Sequence, residues 1–77
     1  MENDVKNQLV EQVKNRMSKD WTIPSDIISN SASLALKDVY LYDLMSDWLK
    51  EKNDYNKHEM LKEIINYTDE MIRIKRL

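Results

Sequence analysis

This chain contains no glycine, and its single proline is Pro24. Glycine reaches positive φ without steric cost, and most hairpin turns, phosphate-cradling loops and strained nucleophile turns depend on it. A chain without it is expected to be all-α, with short links whose backbone groups are met by Asn, Asp and Ser side chains. The same absence removes most motif-defined chemistry, because Walker loops, dinucleotide fingerprints and EF-hand calcium loops are built on glycine.

The 77 residues are enough for one helical domain, 1–77, which buries only about 60% of its unfolded surface. Apolar residues make up 42% and charged residues 34%, with a net charge of −2. That balance suits a globular chain and gives no overall attraction to nucleic acid or anionic lipid. Cysteine is absent, so neither disulfides nor thiolate metal sites reinforce the small core. Packing, or a second copy of the chain, is expected to do so. The start, Met1-Glu2-Asn3-Asp4, is acidic, and no apolar run approaches the length of about 20 that a membrane span needs. A cytoplasmic location without membrane contact is expected. The abundance of Lys, Asn and Ile fits a low-GC bacterium or one of its phages.

Helical periodicity predicts three helices, over about residues 3–18, 25–52 and 56–75. In the first, Val5, Leu9, Val10, Val13 and Met17 form one stripe, with Glu2 and Asp4 at the start and Lys14, Arg16 and Lys19 near the end, as the dipole favours. Trp21 and Ile23, in the link before Pro24, are expected to fold over the core, with Ser25 or Thr22 capping the next helix. The second helix is expected to bend or break near 29–33, where Ser29, Asn30, Ser31 and Ser33 have weak helix propensity. Beyond it, Leu34, Leu41, Leu44, Met45, Trp48 and Leu49 share one side while Leu36 and Val39 point away. A helix that is apolar nearly all round belongs at the centre of a small three-helix bundle. In the third helix, Asn56 and Glu59 read as a capping box, Tyr55 and Met60 as a hydrophobic staple, and Arg73, Lys75 and Arg76 close the end. Its inner stripe is Met60, Leu61, Ile64, Ile65, Thr68, Met71 and Ile72. A charge at Leu44 or Ile64 is expected to unfold the chain.

No catalytic, cofactor-binding or metal-ligating constellation emerges. His58-Glu59 begins like a metalloprotease helix, but Lys62 stands where the second histidine is required. Ser25, Ser29, Ser31 and Ser33 lack the base and strained turn of a nucleophile and read as capping residues. Asn66-Tyr67-Thr68 is a chance glycosylation sequon inside a helix.

One face remains. Asp43, Asp47 and Glu51 follow one another at four-residue spacing on the outer side of the second helix, continued by Tyr40 and Leu36. A solvated face would account for them. The alternative is a partner-binding surface, in which Leu36, Val39 and Tyr40 supply area while Asp43, Asp47 and Glu51 orient the partner. The leading expectation is a non-enzymatic protein-interaction module, a regulator, inhibitor or adaptor, compatible with a homodimer through the second helix. The runner-up is a small helical nucleic-acid-binding or transcription-associated protein, disfavoured because the cations of the third helix are interleaved with acids.

Overall fold

The computed structural model describes residues 2–75 and, within them, the side chains of residues 4–74. Four helices carry these residues: α1 (Glu2–Ser18), α2 (Ser25–Ala35), α3 (Val39–Lys50) and α4 (Asp54–Lys75). The expected charges at Glu2, Lys75 and Arg76 lie outside the described side chains. The expected three-helix count is corrected to four because the second predicted helix is two, and the break falls at 36–38 rather than at 29–33.

Both halves of that correction have a local cause. The serines of α2 leave the helix intact: Ser31 is fully buried and its hydroxyl donates to the Ile28 carbonyl at 3.0 Å, so it needs no partner outside the helix. The chain turns instead where Asp38 takes over. The Leu34 carbonyl accepts both the Lys37 and the Asp38 amides at 2.9 Å, closing α2. Asp38 then adopts extended geometry, and its side chain accepts the Leu41 amide at 3.1 Å, which starts α3.

The other links follow the same chemistry. Between α1 and α2, the Asp20 carboxylate accepts the amide and the hydroxyl of Thr22, so Thr22 stabilises the turn rather than the helix end. Pro24 occupies the N-cap of α2 without a side-chain hydrogen bond, so neither Ser25 nor Thr22 caps it. Ahead of α4, the Asn53 side chain accepts the Asn56 amide at 2.9 Å. The cap expected at Asn56 therefore lies three residues earlier, at Asn53, and Tyr55, 71% exposed, makes no staple.

Helices α2 and α3 form the middle of the fold. Each packs against the other and against both α1 and α4, whereas α1 and α4 do not pack together among the described residues. The core takes Val10, Val13 and Met17 from α1, Ile28, Leu34 and Ala35 from α2, Leu41, Met45 and Trp48 from α3, and Ile64 from α4. Ile23 joins it from the first link, whereas Trp21 does not fold over the core. Polar groups caught inside are met by the helix backbone, as when the buried Thr68 hydroxyl donates to the Ile64 carbonyl at 2.8 Å. The indole Nε1 of Trp48 is the one buried side-chain polar atom without a hydrogen-bond partner among the described residues. Across its ring lies the Lys57 ammonium, 4.5 Å from the centroid, which donates to the Trp48 carbonyl and ties the end of α3 to the start of α4.

Leu44 is only half-buried, while Ile64 is fully enclosed. Ile64→Asp is therefore predicted to abolish the cooperative fold, because a carboxylate there has no water and no partner. Leu44→Asp retains a cooperative urea transition at lower midpoint, since its carboxylate reaches solvent. Circular dichroism through a urea titration checks both, and equal damage at the two positions would contradict the burial.

Candidate protein-binding face

The corner between α2 and α3 gathers apolar surface outside the core. Leu36 follows the last residue of α2, and Val39 is the first of α3. Because the Asp38 cap turns the backbone here, neither side chain is drawn inward: Leu36 is 41% exposed and Val39 is 70% exposed. They border a cleft of about 250 Å³ together with Lys6, Lys37, Tyr42 and Asp43. Leu36 also lines a shallower groove between α1 and α2, beside Glu11 and Lys14. The Lys6 ammonium lies 5.7 Å from the Tyr42 ring centroid, which brings α1 to the cleft wall.

The six residues expected to form a binding surface divide on inspection. Leu36, Val39 and Asp43 meet at the cleft. Asp47 continues from Asp43 one turn along α3, and both carboxylates are exposed with no ion pair or hydrogen bond among the described residues. Tyr40 is half given to the fold: its ring sits 4.8 Å from that of Tyr67, and its hydroxyl donates to Glu63 of α4 at 2.9 Å. Glu51 stands apart from the line. It follows the end of α3 in extended geometry, and one carboxylate oxygen accepts the Lys52 and Asn53 amides at 3.1 Å each. Its carboxylate shapes the α3–α4 link. The unbroken helical line from Leu36 to Glu51 is thus interrupted at both ends by turns.

Asp38 anchors this corner from beneath. While one of its oxygens caps α3, the other accepts the Tyr67 hydroxyl at 2.5 Å. That hydrogen bond, with burial and the Asp38 charge adding to it, pushes the Tyr67 hydroxyl up to about 12. Tyr40 is raised in the same direction by its hydrogen bond to Glu63.

Two features escape periodicity. Trp21 is 90% exposed, held outward by the Asp20 turn between the buried Met17 and Ile23. Lys37 lies beside Val39 in the turn, and its position facing the cleft follows only from where α2 stops. Among the described residues, no three His, Asp or Glu side chains converge as metal ligands, and no helix is long and apolar enough to cross a membrane.

The Tyr67 hydroxyl carries a stability prediction. The folded chain holds this proton more tightly than the unfolded one, whose tyrosines titrate near 10.0. The contribution is therefore intact below that value and is lost as pH rises toward about 12. Tyr67→Phe should flatten this alkaline loss of thermal stability, and Asp38→Ala should lower stability at neutral pH by about 1 kcal/mol or more through the lost cap. Melting curves across the alkaline range measure both.

Comparison with family models, with curated proteins and with solved structures finds no match to this chain.

Proposed function

We propose that this chain is a small, non-enzymatic helical protein-interaction module of the cytoplasm, acting on a partner as a regulator, inhibitor or adaptor through the α2–α3 corner. The observation that carries this reading is the concentration of exposed apolar surface at Leu36, Val39 and Tyr40 beside two carboxylates, Asp43 and Asp47, that form no ion pair among the described residues. Contiguous exposed apolar residues with a polar rim are the usual composition of a docking face. A second observation favours protein over nucleic acid. The described cations of α4 are engaged within the fold: Lys62 pairs with Glu59 and Arg73 with Asp69, each at 3.2 Å, while Lys57 sits on Trp48. A phosphate-tracking face needs cations free to neutralise the backbone.

Val39 provides the test, because it is the most exposed apolar residue of the face. Val39→Lys should leave the helical circular dichroism unchanged and lower capture of a partner protein by the immobilised chain by about tenfold or more, the usual scale of a hot-spot loss. Capture that survives this substitution would move the docking face elsewhere.

A further inference from the structure

We infer that the partner this face fits is a second copy of the same chain, paired about a twofold axis close to Val39. The inference rests on the docking face argued above. Lys37, Val39 and Asp43 follow one another along the chain at that face: a cation in the turn, an apolar side chain at the first position of α3, and an anion one helical turn further on. Lys6 and Asp38 line the same cleft, but the Lys6 ammonium lies toward the Tyr42 ring and the Asp38 carboxylate accepts from Leu41 and Tyr67. Lys37 and Asp43 are both exposed, and neither is in an ion pair among the described residues. A row of positive, apolar and negative groups is complementary to itself when reversed. Two copies with their α3 helices antiparallel bring Lys37 of each opposite Asp43 of the other, and bury Val39 and Leu36 between them. This is the isologous contact that a twofold dimer requires, with each charge pair formed twice. A basic amphipathic segment would match Asp43 and Asp47 but would leave Lys37 against a like charge. An acidic segment fails on the other side for the same reason.

The chemistry of the chain supports self-pairing independently of the charges. With no cysteine and no converging metal ligands among the described residues, a core this small lacks the usual covalent or metal reinforcements. Association is the remaining way to bury more apolar surface.

Sedimentation equilibrium of the full chain, from about 1 μM to about 1 mM, tests the inference. The wild-type chain should reach twice its monomer mass within that range. Val39→Lys should weaken association by about a hundredfold, since it places two ammonium groups at the axis. Lys37→Asp and Asp43→Lys should each weaken it by about tenfold, and the two together in one chain should restore it to within about threefold. Trp21→Ala, at the other exposed anchor, should leave association unchanged. Circular dichroism on every variant confirms that the fold is retained.

A wild-type monomer at the highest concentration overturns the inference. So does a dimer that is indifferent to Val39→Lys or lost on Trp21→Ala, and so does a charge swap that fails to restore pairing. The two readings separate cleanly. A wild-type monomer whose capture of another protein still depends on Val39 removes only the second copy as partner. A monomer whose capture ignores Val39 removes the docking face itself.

Discussion

Asp38 serves three helices through its carboxylate and its amide. One oxygen accepts the Leu41 amide and starts α3, the other accepts the Tyr67 hydroxyl of α4, and the Asp38 amide is bonded to the Leu34 carbonyl at the end of α2. An N-cap alone contributes about 1 kcal/mol. Here the same side chain also holds the Tyr67 hydroxyl of α4, whose ring lies against that of Tyr40 at an interplanar angle of 50°. Remove the carboxylate and α3 loses its cap while α4 loses its tie to the corner. The exposed positions of Leu36 and Val39 follow from the turn at Asp38, which itself lines the same cleft.

Asp38 exemplifies how a glycine-free chain closes its turns. Asp20, Glu51 and Asn53 each accept amides within three residues, and each does so in a link between helices. These side chains replace left-handed backbone geometry with a local hydrogen bond, which keeps φ negative and the link short. The cost is that acids which look free in the sequence are committed to turns. Glu51 is the clearest case. Its four-residue spacing from Asp47 suggested a continuous acidic line, but the helix ends at Lys50 and the carboxylate folds back onto its own link.

The stripes of α1 and α4 are legible in the sequence, because Val10, Val13 and Met17, or Ile64 and Thr68, recur at helical spacing and are buried. Helix breaks are less legible, for competing local reasons. Four short polar side chains at 29–33 lower propensity, but burial of Ser31 and its hydrogen bond to Ile28 outweigh that deficit. At 36–38, by contrast, one aspartate is enough, because its cap coincides with the Leu34 carbonyl taking two amides. No Glu or Gln follows three residues after Asp38 to complete a capping box, so the start of α3 carries only half of its usual signature. Trp21 eluded the sequence for a different reason. Hydrophobicity says that an indole should be covered, but the Asp20 turn has already aimed it outward.

Two of the places where this fold leaves large apolar side chains in water differ in their surroundings. Trp21 stands on a turn closed by its own hydrogen bonds, flanked by Lys19 and an aspartate already satisfied by Thr22. Nothing beside it selects the charge of a neighbour. At the α2–α3 corner, the apolar residues lie between Lys37 and Asp43, neither in an ion pair among the described residues, and the cleft is lined by α1, α2 and α3, with Asp38 capping α3 and the Lys6 ammonium near the Tyr42 ring. A surface selects a partner when its apolar area is paired with charges held in fixed places, because burying those charges unmatched is costly. In the proposed pairing, that criterion is met by the sign order along the corner, positive before negative across Val39, which a copy of the same surface carries in reverse.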